Sequence, residues 1–462
     1  METSLERSAL RPVLVVLAIL VFAGRGAPAA TLHVPSEYGT INAALDASAY
    51  GDTVLVAPGT YTGYDIRTVY VGGSAPATVT SIAFLRDGVT LLGESGPEST
   101  VLDMTGAPWT DAAWVVVAGV LPGKDTRLEG FTVTGAPIGM SGMRIGACGR
   151  VVVDRCHFID LDARPDESGG GIQVGHSDVE VLRCRFENCH ALYGGAMLVT
   201  DSNLWVSESE VISCSAAEGG GIVGTATGPQ HNLAFEIRDS RFVGNRTELY
   251  GEGGAIAQGG NGFRAIRIVE RCHFEGNRAG GSGGALYMSD FETSLVVRDN
   301  VFVDNGLDTD DTIGGAALLR GTDVEIRKNT FHLCRQDNLY SAGSAVYVGG
   351  ATTLSFENNI FTENIGAAAV QIRPDVLSLD GGCNVFWDNE GGSMVGAPLD
   401  PTDRIVDPLY CDPDAFDLTL SSQSPCLPAH SLGCGLIGAL GQGCGTVSVT
   451  PMSWSRIKGA YR

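Results

Sequence analysis

Positive charge is scarce in this chain. Lys and Arg total 30 against 53 Asp and Glu, a formal net charge of −23. So acidic a body repels nucleic acid and makes anionic polysaccharides and anionic lipid surfaces poor ligands for it as a whole. Long apolar runs are scarce too. One covers residues 13–23, too short to span a bilayer comfortably, and none follows, so no transmembrane span is expected once the N-terminus is removed. Apolar spacing at i, i+3, i+4 is not sustained, which excludes helical bundles and helical repeats. There is no CxxC pair. Cys156-His157 and Cys272-His273 are neighbours that a strand sends to opposite sides, so neither pair can share a zinc ion. GxSxG, HExxH and phosphate-binding loops are missing. No charge run or Pro/Ser-rich linker divides residues 31–445, so one continuous core is expected.

What is present is repetition. A short phrase recurs nine times, as CHFIDL, CRFENC, SEVISC, SRFVGN, CHFEGN, NVFVDN, NTFHLC, NIFTEN and NVFWDN. Its third position is Phe158, Phe186, Val211, Phe242, Phe274, Phe302, Phe331, Phe361 and Phe386, in steps of 25 to 32 residues. Five residues before the first eight of these, and seven before most of them, stand rows of Val, Ile, Leu and Phe separated mostly by polar residues; Arg267 breaks the second row. Such period-two alternation predicts one half-buried strand per unit. A second strand follows a glycine pair, in GGGI at 169, GGAM at 194, GGGI at 219, GGAI at 253, GGAL at 283 and GGAA at 314. Glycine there permits positive φ and close backbone approach at a repeated corner. Units that cannot bury an apolar side alone must stack. Stacking would place Cys189, Cys214, Asn245, Asn277, Asn305, Cys334, Asn364 and Asn389 in one ladder, with neighbouring Asn side chains bonded to each other and to turn backbone. The prediction is an all-β, right-handed parallel β-helix.

GGA[IL] alternating with FxxN resembles the repeat of the chlamydial polymorphic outer-membrane proteins, and the chain as a whole resembles the pectate-lyase-like parallel β-helix superfamily. TLHVPSEYGTINAALDASAYGDTVLVAPGTYTG, residues 31–63, is similar to the N-terminal cap and first coil of secreted members. In it Thr40 is a plausible N-cap for a short helix with Ile41, Ala44 and Leu45 on one apolar face, plugging the open end of the solenoid. The resemblance implies residues 31–406 as β-helix with cap. It also implies that residues 407–445, rich in Cys, Pro and Gly, close the last coil. Residues 446–462 form a basic tail, either a sorting or anchoring signal or a disordered end, and are too short for an outer-membrane barrel. The ordered NTD, DD, GHG and RIK motifs of polygalacturonase-like hydrolases occur only as stray fragments in the wrong order, at Asp310-Asp311, Gly175-His176 and Arg456-Ile457-Lys458.

Arg7 and Arg11, the apolar run and Ala27-Pro28-Ala29 form a secretory signal peptide pattern over residues 1–30. The expectation is a secreted or cell-surface protein. Twelve cysteines in such a chain suggest disulfides. Cys156 with Cys184, and Cys189 with Cys214, share rows on adjacent coils, as disulfides or as small buried thiols. In the tail, the simplest pairing is Cys411–Cys426 and Cys434–Cys444.

Site residues are less legible. Asp308, Asp310 and Asp311 offer clustered carboxylates to calcium, with an acidic solvated loop as the alternative; no other cofactor is implied. An outward row His157, Arg185, Glu210, Arg241, His273 could hold an acid or base or be a solvated face. A second outward row, Leu198, Val223, Tyr287, Leu318 and Tyr347, offers aromatics, above all Tyr287 and Tyr347, to sugar rings or a partner protein. Two functions remain open. One is a structural, adhesive or binding protein that meets an extracellular glycan or a cell-surface protein. The other is a polysaccharide lyase or glycoside hydrolase whose catalytic residues no linear motif reveals.

Overall fold

The computed structural model describes residues 29–69, 76–108, 112–118, 125–146, 149–165, 167–226, 233–260, 266–290, 293–308, 313–336 and 343–445. The chain winds as a right-handed parallel β-solenoid. One coil shows the plan. Asn203–Ser207 lies on sheet I, Glu210–Ile212 on sheet II, Ser215–Glu218 on sheet III, and Ile222–Ala226 on sheet IV after a glycine corner. Among the described residues these sheets have 13, 13, 7 and 12 strands.

The corners are set by backbone. Glu208 (φ 50°) and Ser213 (φ 53°) hold left-handed conformations either side of the three-residue strand on sheet II, and their counterparts in neighbouring coils do the same. At the glycine corner, Gly219 has φ +60°, and a β-carbon on Gly220 would lie 2.3 Å from Gly254 O of the next coil. Both reasons for glycine therefore hold. Between corners, side chains alternate in and out. Phe274, Phe302, Phe331 and Phe361 stack inside, with successive centroids 4.8, 4.5 and 4.9 Å apart and rings nearly parallel. The helix Ile41–Ala47 is capped by Thr40, whose Oγ1 accepts from Ala43 N at 3.1 Å, and buries Ile41, Ala44 and Leu45 against the first coil.

The asparagine ladder is present. Asn277 Nδ2 donates to Phe242 O (3.0 Å) and to Asn305 Oδ1 (2.9 Å), while Asn277 Oδ1 accepts from Asn245 Nδ2 (2.9 Å). A second ladder runs at the other corner of sheet II, through Asn300, Asn329, Asn359 and Asn384, ending on Asp403. Cys156, Cys184 and Cys272 occupy the same register in earlier coils.

Of the two alternatives for the stacked cysteines the thiol is found, and both tail pairings change. Cys156, Cys184, Cys189 and Cys214 are buried thiols, not disulfides. In-register stacking keeps their Cα–Cβ bonds parallel, and each Sγ lies against a carbonyl of the coil below, Cys184 on Val153 O (3.4 Å) and Cys189 on Phe158 O (3.4 Å). The two disulfides among the described residues are Cys383–Cys434 and Cys411–Cys444, with Cα separations of 5.7 and 5.9 Å, and Cys426 is a buried thiol. Tertiary placement is the reason. Residues 407–445 do not simply close the last coil, which ends with Met394–Val395 on sheet IV and Arg404–Ile405 on sheet II. They fold back along the outside of sheet II. Tyr410, Leu418, Leu420, Cys426 and Ile437 cover Val301, Val303, Ile360 and Val385 there. This brings Cys434 to Cys383 of the solenoid, while a small sheet joins Tyr410–Asp412, Asp417–Ser421 and Gln442–Cys444 and sets Cys411 beside Cys444.

Candidate functional site

The outward residues of sheet IV form one continuous row from Phe84 through Val117, Arg144, Gln173, Leu198, Val223, Ala257, Tyr287, Leu318 and Tyr347 to Gln371. Leu198 and Tyr287 are partly exposed; Val223, Leu318 and Tyr347 are buried. The expected line of exposed aromatics is therefore corrected to one accessible ring, Tyr287. Arginines cover Tyr347: Arg320 Cζ lies 5.8 Å from its ring centroid, and Arg373 Nη1 donates to its hydroxyl at 3.3 Å.

Around Tyr287 the solenoid assembles residues that lie far apart in sequence. Glu218 and Glu252 each stand directly before a glycine corner, and Gly219 N donates to Glu252 O at 3.0 Å, which fixes them one above the other on adjacent coils. Strand spacing puts their backbones about 4.8 Å apart. Tyr287, one coil further, has its hydroxyl near enough to the Glu252 carboxylate for each to shift the other's titration. Burial raises both carboxylates above their usual range; at Glu252 the nearby Glu218 charge raises it further, while Tyr287 and Arg320 oppose. Burial, then Glu252, pushes the Tyr287 hydroxyl up to about 12. From Glu218 to Arg373 the patch crosses six coils, roughly 24 Å along the solenoid. It carries two carboxylates at one end, a phenol between, and two guanidinium groups at the other. Such a strip can hold hydroxyl-rich chains, and its acid pair can give or take a proton.

Glu218 and Glu252 escaped the sequence reading. Their signal was available, since AEGGGI and GEGGAI place both at the same position relative to the glycines.

The other site expectations resolve differently. Asp308 forms an ion pair with Arg246 (2.9 Å), whereas Asp310 and Asp311 lie outside the described residues. No group of three or more His, Cys, Asp or Glu among the described residues is arranged to hold a metal ion. The His157 row is an ion-pair face. Arg185 binds Glu187 (2.9 Å) and Glu210 (2.7 Å), and Glu275 joins Arg241 (2.7 Å) and His273 (3.2 Å).

Fold and site thus define a right-handed parallel β-solenoid with a polar strip along one outer face. The chain matches the family model for the right-handed β-helix region over residues 117–331 and 265–375, together more than half its length, and it belongs to that family. No curated protein matches it significantly. Among solved structures it is similar to the catalytic domain of a family-87 α-1,3-glucanase in complex with tetrasaccharides, at 11% identity and a TM-score of 0.46, covering 83% of this chain and 69% of that one. It is also similar to the A-module of the mannuronan C-5 epimerase AlgE4 of Azotobacter vinelandii, at 12% identity and a TM-score of 0.20, covering 79% and 95%. At these values the functional reading rests on this chain's own residues.

Proposed function

We propose that this is an exported glycan-binding β-helix protein whose ligand lies along sheet IV. The observation that carries the reading is the Glu218–Glu252–Tyr287 cluster with Arg320 beside it. A ring can stack on the partly exposed phenol while carboxyl and guanidinium groups bond its hydroxyls. The acidic body favours a neutral glycan over a polyanion. The signal-peptide pattern and two disulfides support export to an oxidising compartment.

A second reading, polysaccharide cleavage, draws on one feature. Two stacked carboxylates, both raised above their usual range, supply the paired acidic side chains that glycoside hydrolysis uses. One experiment separates the two. Purified protein is offered a panel of neutral and charged polysaccharides, with and without calcium, and both binding and new reducing ends are measured. Binding without turnover, weakened about tenfold by Tyr287→Ala, is the expected outcome. Turnover abolished by Glu252→Gln with binding retained would establish the enzyme instead. Binding indifferent to Tyr287→Ala, Glu218→Gln and Glu252→Gln would remove sheet IV from the account.

A further inference from the structure

The outward row of sheet IV begins at Phe84, beneath the antiparallel hairpin Asp65–Val69 and Ala77–Ser81. Beside it, between hairpin, capping helix and first coil, lies a concavity of about 440 Å³. That volume falls within the range of small-molecule sites, roughly 300–1,000 Å³. We propose that this cavity is a second sugar-binding site, which takes a single ring of a neutral glycan on Tyr50. It is separate from the Glu218–Tyr287 strip and does not depend on it.

Tyr50 lines the cavity and is 65% exposed. One side of its ring is covered. It lies against Gly88, where a β-carbon would come within 2.1 Å of Cδ2, and Gly88 (φ +67°) is itself held by Gly51 N donating to its carbonyl at 2.9 Å. An accessible phenol covered on one side is a platform for the C–H face of a sugar.

The walls supply the hydroxyl-binding groups. Arg67 lies 4.7 Å from the Phe84 centroid and is braced by Asp46 through two bonds of 2.8 and 2.9 Å. Arg86 donates to Asp46 O at 2.9 Å, and Asp87 stands next to it. The lining thus combines donors and acceptors with the apolar Val69, Phe84, Leu85 and Val89. Arg67 also pairs with Asp65 at 2.5 Å, so the two guanidinium groups face Asp46, Asp65 and Asp87. The acidic excess disfavours an anion, and a neutral polyhydroxyl ring fits the polar walls and the aromatic platform.

The test uses the full chain and isothermal titration with short neutral oligosaccharides of glucose, xylose, mannose and galactose. For at least one series, Tyr50→Ala should weaken a binding step by about tenfold and Arg86→Ala should weaken the same step. Both side chains are at the surface, so melting temperature should stay as in the wild type. Tyr287→Ala should leave that step unchanged and act on another. If both Tyr50→Ala and Arg86→Ala bind every sugar as the wild type does, or if the wild type binds none of the series, the cavity is not a sugar site. If Tyr287→Ala alone removes binding, the cap site fails while the sheet IV strip stands; the reverse pattern leaves the cap site standing alone.

Discussion

Arg267 occupies the inward row that elsewhere holds Val, Leu or Phe, and no part of its side chain is exposed. It survives there because Asp290, also buried, accepts from its Nη2 at 2.9 Å. Burial still lowers the guanidinium to about 10, so desolvation outweighs the partner. Removing one member of such a pair strands the other. Arg267→Leu should cost about 3–5 kcal/mol in chemical denaturation, and adding Asp290→Leu should recover part of the loss. If the double variant is less stable than Arg267→Leu alone, the charges are not acting as a pair. In the sequence Arg267 read only as an interruption of an apolar row. Its partner lies 23 residues away at the end of a strand on another sheet, which no local pattern indicates.

The repeated coil, by contrast, was visible in detail. The aromatic rung, the glycine corner and one asparagine ladder all followed from phrases in fixed phase. The ladder makes a prediction at this scale. Asn277 bonds a carbonyl below and an asparagine above, and accepts from Asn245 as well. Asn277→Leu or Asn305→Leu should each lower stability by about 1–3 kcal/mol, because buried partners are left unsatisfied. Unchanged melting of both variants would mean that the ladder contributes nothing to stability. The second ladder was less legible because its register changes chemistry along the solenoid, from Cys156 and Cys184 through Ser209 and Ser240 to Asn300 and its successors. A mixed column of small polar residues does not stand out until the coils are stacked.

At the scale of the molecule, the solenoid carries a second body along its side. His332 on sheet II is buried where residues 407–445 dock, with its Nδ1 2.9 Å from Thr362 Oγ1 and its ring edge-on to Tyr410 and Phe416. Burial pushes it down to about 4 from 6.5. A histidine kept neutral in the folded state lends full stability above its unfolded value, and that stability is lost as pH falls from about 6.5 towards 4. The full span is worth about 3 kcal/mol. Glu363, raised by burial and by Asp388, Asp414 and Asp407, has the opposite sign and offsets part of the loss. Limited proteolysis between pH 7 and pH 4 should therefore show residues 407–445 cut before the solenoid at the acid end. His332→Gln should flatten the difference; an identical acid response in that variant would assign the effect to other groups.

Periodicity by itself determined that this protein is a parallel β-helix, which residues point inward, and where its corners turn. Those features repeat at fixed phase, and every coil meets the same neighbours. Only tertiary structure decided which outward residues meet. Cys383 finds Cys434 across 51 residues, and Tyr50 reaches Gly88 across the cap. Each of these contacts depends on how a non-repeating segment lies against the solenoid or on small differences between coils. A local pattern carries no record of either, because the free energy that places them is gained between residues that are strangers in the chain.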